Sequence, residues 1–185
     1  MSSDGHVLVW KASKSPPLPV LPDHIQRTYI STRHGKLELL IALPPNPGPG
    51  CDLPVGQKHA LFFQHGGFGS ASVWIPYLTY FSQTHGFPCY ALSLRGHGAS
   101  WQPSYLELVF RTGKKQMADD LGVALNWVKG FEAGRRLQPG TADGNTQIVL
   151  IGHSAGGGLC QYLLSQGLGT VHGFVMAAPF PSFGG

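Results

Sequence analysis

Apolar residues along this chain come in short continuous runs, each closed by a glycine-rich stretch and several followed by a segment of helical period. Ile25 to Ser31 and Leu37 to Leu43 flank Thr32-Arg33-His34-Gly35-Lys36, two extended runs about a glycine turn, which predicts a hairpin. Ala60 to Phe63 is apolar at every position, as expected of a strand covered on both faces. Trp74, Tyr77, Leu78 and Phe81 then recur at i, i+3, i+4 and i+7, predicting a helix with one apolar face. Cys89 to Leu94 reads as the next strand. Met117, Leu121, Leu125 and Val128 mark a longer helix expected to stop before Gly130 or Gly134. Ile148 to Ile151 is another buried strand, a helix carrying Leu159, Tyr162 and Leu163 follows, and Phe174 to Ala178 is the last strand. This alternation predicts an α/β fold with a mostly parallel, doubly covered sheet and right-handed crossovers.

The pattern also divides the chain. Residues 1–22 end in Ser15-Pro16-Pro17-Leu18-Pro19-Val20-Leu21-Pro22, which suits neither helix nor central strand, so they are read as a Pro-rich extended lead-in. Residues 23–185 form the domain. Pro44-Pro45-Asn46-Pro47-Gly48-Pro49-Gly50 is expected to be a stiff surface loop.

Composition narrows the class. With 185 residues, 42% hydrophobic and 12% charged, the chain suits one globular domain. Its net charge of +4 reflects few acids, and no run of Lys and Arg exceeds two residues, so no nucleic-acid partner is expected. Cys51, Cys89 and Cys160 lack metal or redox spacing and are read as two buried side chains and one loop thiol. The start has no signal-peptide pattern, and no apolar stretch approaches a membrane span, which makes the cytoplasm the default location. No cofactor is expected.

The chemistry concentrates at Gly152-His153-Ser154-Ala155-Gly156, between a strand pattern and a helix pattern. Glycines at the first and fifth positions remove Cβ atoms that would clash in a sharp strand-to-helix reversal. Ser154 is then expected at the tip of a strained elbow, its hydroxyl near a helix N-terminus. His153 is expected to face away from that hydroxyl if the strand alternates normally.

Three loops at the carboxyl ends of predicted strands together resemble the α/β-hydrolase family: His65-Gly66-Gly67-Phe68-Gly69-Ser70, Arg95-Gly96-His97-Gly98-Ala99-Ser100 and Gly152-His153-Ser154-Ala155-Gly156-Gly157. The order and spacing of the loops match, and the likeness runs from about residue 25 to the end. The resemblance implies a serine esterase- or lipase-like hydrolase with Ser154 as nucleophile on an ester, thioester or amide carbonyl. It assigns the oxyanion hole to the backbone N–H groups of Ala155 and Gly67, with Phe68 the second choice to Gly67. It implies structural roles for His65 and Gly66, for Gly152 and Gly156 in the elbow, and for Arg95, with His97 also bracing a loop. Asp119 and Asp120 are expected in the first turns of their helix. Ser93 stands where the family commonly has an acid.

A second departure is larger. In this fold the order is serine, acid, histidine. The 31 residues after Ser154 contain no Asp or Glu and one histidine, His172, which precedes its strand and is therefore expected at the opposite edge of the sheet. The chain is accordingly read as the amino-terminal part of a serine hydrolase, with an incomplete triad and the sheet truncated after about six strands. The strand at Phe174 to Ala178 then becomes an exposed edge and a candidate for self-association. The competing readings are a catalytically inactive fragment or interaction module and a nucleotide-binding protein like the short-chain dehydrogenases. The latter rests on Gly152-x-x-x-Gly156-x-Gly158 at a helix start. Against it, the motif does not open the domain, and no acid lies about twenty positions on. Phe68, Trp74 and Trp101 hint at an apolar acyl or alcohol group in the substrate.

Overall fold

The computed structural model describes residues 17–45, 59–136 and 147–178. Six strands form one sheet in the order β1-β2-β4-β3-β5-β6. β1 (Ile25–Ser31) and β2 (Lys36–Ala42) are the expected hairpin, paired from Ile25 against Ala42 to Ser31 against Lys36. β2 runs antiparallel to β4 (Cys89–Leu92), whereas β4, β3 (Ala60–Gln64), β5 (Ile148–His153) and β6 (Gly173–Ala177) are mutually parallel. The carboxyl ends of these four strands therefore share one edge, and every motif loop opens there.

Alternating side chains divide the core in two. Leu37, Leu39, Phe62, Tyr90, Leu92, Ile148 and Leu150 pack on one face against Leu121, Leu125 and Val128 of α3 (Lys114–Arg136) and Leu159 and Leu163 of α4 (Ala155–Ser165). Leu40, Leu61, Phe63 and Ala91 pack on the other against Trp74 and Leu78. Each fully buried Leu or Phe contributes about 1.5–3 kcal/mol. The double covering explains why β3 and β4 lack alternation in sequence. Burial pushes the thiols of Cys89 and Cys160 up, Cys160 to about 12, so both behave as small core side chains. Cys51 lies outside the described residues.

Several expectations are corrected. The segment after β3 is not one regular helix. A 3-10 turn (Ala71–Trp74) passes into α1 (Ile75–Thr79) and then a π turn (Tyr80–Thr84). The changing period rotates Tyr77 out to solvent and brings Ser82 into the interior. α3 passes both Gly130 and Gly134, where an added Cβ would meet only open space. Its last turns are held from below, because the Tyr90 hydroxyl donates to the buried Glu132 carboxylate, which also pairs with Arg135 at 2.5 Å. α3 begins at Lys114, so Asp119 and Asp120 sit beyond its first turn, which contains no acid. A further helix, α2 (Tyr105–Arg111), was not anticipated; Ser104 and Glu107 close a capping box at its start.

The end of the lead-in lies on the domain. Leu21 packs against the second core, and the Pro19 carbonyl accepts from Arg27 at 3.3 Å. Pro16, most of the 44–50 loop and the tail after Ala178 lie outside the described residues. β6 is an edge strand, with Val175 and Met176 exposed.

Candidate active site

β5 ends at His153, and α4 begins at Ala155, so the reversal takes place at Ser154 alone. Ser154 has φ 52° and ψ −124°, a backbone state that costs a non-glycine residue on the order of 1–3 kcal/mol. Surrounding bonds hold it there. Its N–H donates to the Ala177 carbonyl at 3.0 Å, and its carbonyl accepts from Gly157 at 2.9 Å and Gly158 at 3.3 Å. The flanking glycines are required by close approach: a Cβ on Gly152 would lie 2.7 Å from Gly157 Cα, and one on Gly156 2.1 Å from the His65 carbonyl oxygen. In the nucleotide reading the same glycines would face a pyrophosphate; here these two face protein backbone.

The loop after β3 meets this elbow. A Cβ built on Gly66 would lie 3.1 Å from Ser154 Cβ, and one on Gly67 would lie 4.0 Å from Ala155 Cβ. Among the described residues, no acceptor takes the N–H of Gly67 or of Ala155. Two unpaired donors thus sit side by side at the N-terminus of α4, next to Ser154. Phe68, at φ 61°, projects fully into solvent beside them.

His65 anchors that loop from beneath. Its Nδ1–H donates to the Gly66 carbonyl at 2.7 Å, and its Nε2 accepts from the Leu94 N–H at 3.2 Å, which sets the neutral tautomer. Burial lowers its pKa from 6.5 to about 4; the Gly66 bond opposes this, His97 adds to it, and Glu38 opposes it. Both ring nitrogens are occupied, so the ring ties the 65–70 loop to the 93–100 loop. It serves as a brace.

The 93–100 loop is held by two carboxylates. Arg95 donates to Asp120 through Nε at 2.6 Å and Nη2 at 2.7 Å, and Nη2 also reaches the Gln116 carbonyl at 3.1 Å. Both partners are buried, so losing either would cost about 3–5 kcal/mol. His97 Nδ1 bonds the Arg95 carbonyl at 2.9 Å. Ser93 is bound by a carboxylate from another strand. Glu38 of β2 accepts from Ser93 Oγ at 2.7 Å, from the Ala99 N–H at 2.9 Å and from Arg27 Nε at 2.7 Å, while Ser93 Oγ accepts from the Ala71 N–H at 2.8 Å. Glu38 is the residue that sequence reading missed. Its only local signal is an acid within an otherwise apolar strand run.

The remaining candidates are placed as follows. His172 donates its N–H to the Ile148 carbonyl at the start of β5, the opposite end of the strand from Ser154. His153 is exposed, its ring edge-on to Trp74 at 6.5 Å. Trp74 belongs to the core, and Trp101 stacks on His34 of the hairpin turn, so of the three aromatic residues only Phe68 stands free at the site. A cavity of about 560 Å³ opens elsewhere, between the hairpin turn and α3, with Thr32, His34, Arg95, Asp119 and Val123 in its walls. Among the described residues, no cluster of His, Cys, Asp or Glu is placed to hold a metal, and no helix is long and apolar enough to cross a membrane.

The alpha/beta hydrolase family profile matches residues 60–185. The chain belongs to this family. A comparison with curated proteins finds no match. Among solved structures, a Vigna radiata epoxide hydrolase mutant superposes with a TM-score of 0.60 at 16% identity, covering 84% of this chain and 39% of that one. An alpha/beta hydrolase from Novosphingobium aromaticivorans gives 0.59 at 15% identity, with 83% and 44% covered. The thioesterase domain from the curacin biosynthetic pathway gives 0.58 at 13%, with 84% and 46% covered. These likenesses establish the fold, and the chain spans less than half the length of each of these proteins.

Proposed function

We propose that this chain carries the nucleophile and the oxyanion-binding half of a serine acyl hydrolase. Ser154 would attack a carboxylic ester or related acyl carbonyl, and the N–H groups of Ala155 and Gly67 would receive the negative charge that develops on the carbonyl oxygen. The observation that carries this reading is the strained Ser154 turn set against two adjacent unpaired backbone donors. Held in advance, those donors stabilise an oxyanion without reorganising, which is worth about 3–4 kcal/mol for a single donor elsewhere. A hydroxyl also needs a base, and neither His65 nor His172 is placed to act as one. The histidine and carboxylate that complete the reaction are assigned to residues other than the described ones. Cytoplasmic location and a small acyl substrate accompany this proposal.

Incubation with a fluorophosphonate probe tests it. A mass increase that disappears in Ser154→Ala supports the nucleophile. Label that persists in Ser154→Ala overturns it, whereas a folded sample that never takes the label excludes catalysis by these 185 residues alone and favours an inactive fragment or interaction module.

A further inference from the structure

Helix α2 belongs to neither core. None of its residues is buried. Tyr105, Leu106 and Phe110 are 77%, 65% and 76% exposed, and Leu108 and Val109 are 45% and 52% exposed. Five large apolar side chains on one two-turn helix therefore face water, on the same carboxyl edge of the sheet as Ser154. A contiguous apolar patch of this kind marks an interaction surface.

The charge around the patch is mostly positive, with Glu107 of α2 the acid among the cations. Arg111 ends α2, and after Thr112 and Gly113 come Lys114, whose ammonium lies 5.5 Å over the Tyr162 ring, and the exposed Lys115. The β1–β2 turn adds Arg33 and Lys36, both exposed. That turn is docked beside the α2 lead-in: the Trp101 N–H donates to the Lys36 carbonyl at 2.8 Å, and the Trp101 ring stacks on His34 at 6.2 Å. Of the nearby acids, Asp120 is engaged internally and Glu107 caps its own helix at the surface. Glu107 accepts from the Ser104 N–H at 2.9 Å and the Ser104 hydroxyl at 2.8 Å, Asp120 is held by Arg95, and Asp119 lies in the cavity wall.

We propose that α2 and the β1–β2 turn form a peripheral docking face for a bilayer rich in anionic phospholipid. The apolar side chains would enter the headgroup–acyl boundary, and the exposed Arg33, Lys36 and Lys115 side chains would lie among the phosphates. The charge complementarity favours this occupant. Symmetric pairing of two copies through α2 would press the two basic rims together, a like-charge contact. A purely apolar partner would leave the cations without a role.

Cosedimentation of the full chain with large vesicles tests the proposal, using phosphatidylcholine alone and phosphatidylcholine with about 30 mol % phosphatidylserine. Expected are partitioning at least about tenfold stronger with phosphatidylserine and loss of binding at high salt. Leu106→Glu with Phe110→Glu should abolish binding, and Lys36→Glu with Lys115→Glu should weaken it at least about 25-fold, since each cation contributes about fivefold. All four positions are exposed, and far-UV circular dichroism should show the fold retained. No sedimentation with anionic vesicles, equal binding to neutral vesicles, or binding unchanged in the Leu106/Phe110 variant would each overturn it. So would a stable dimer in sedimentation equilibrium that Phe110→Glu dissolves.

Discussion

His65 makes the stability of this protein dependent on acid in a way that can be calculated. The native ring is neutral because burial disfavours its charged form, with a pKa of about 4 against 6.5 for the unfolded chain. As pH falls below 6.5, the unfolded chain takes up a proton that the native state refuses until about 4. The unfolded state then binds more protons, so stability falls with pH across that window. The whole difference amounts to about 3 kcal/mol, of which about 2 kcal/mol is lost between pH 7 and 4.5. His65→Asn keeps a donor for the Gly66 carbonyl but strands the buried Leu94 N–H, costing about 1–3 kcal/mol at neutral pH. It also removes the titration. Urea unfolding of both proteins from pH 7.5 to 4.5 should show a gap that closes on acidification, because carboxylates titrating in both proteins cancel. Parallel stability curves would refute the assignment of His65 as a buried neutral brace.

Two further expectations concern the loop supports and the glycines. Ser93→Asp should destabilise by about 1–3 kcal/mol, because the new carboxylate would face Glu38, whose oxygen lies 2.7 Å from the present hydroxyl. Combining it with Glu38→Gln should recover part of the loss, and additive effects in the double-mutant cycle would rule out direct coupling of the two positions. Gly130→Ala with Gly134→Ala should raise stability by about 1–2 kcal/mol, since both sites are open helix positions, whereas Gly156→Ala should unfold or distort the elbow by driving a methyl into the His65 carbonyl. Thermal melts of these variants check both signs.

The alternation of short apolar runs with helical periods was sufficient for the α/β class, because a strand buried on both faces must be apolar throughout. The hairpin and the elbow were equally local: a glycine turn between extended runs, and glycines wherever backbone meets backbone. The position of His172 at the far end of β5 also followed from chain order, since direction along a parallel strand fixes which edge a residue occupies. Helix ends were less legible. α3 crosses Gly130 and Gly134 because Tyr90 and the core hold its far turns, and such tertiary support exceeds the roughly 1 kcal/mol that a glycine costs a helix.

Tertiary structure alone decided what braces the site. Glu38 and Ser93 are 55 positions apart, and nothing in either local stretch announces that a carboxylate from β2 holds the loop after β4. The burial of Trp74 in the second core and the stacking of Trp101 on His34 have the same origin, because an aromatic side chain in sequence carries no indication of which face of the sheet will bury it. α2 shows the converse. Its capping box is written in Ser104 and Glu107, but the exposure of its apolar residues emerges only when both cores are filled without them. Local pattern determines which elements form and in what direction they run; long-range pairing determines which charges meet and which apolar faces remain uncovered.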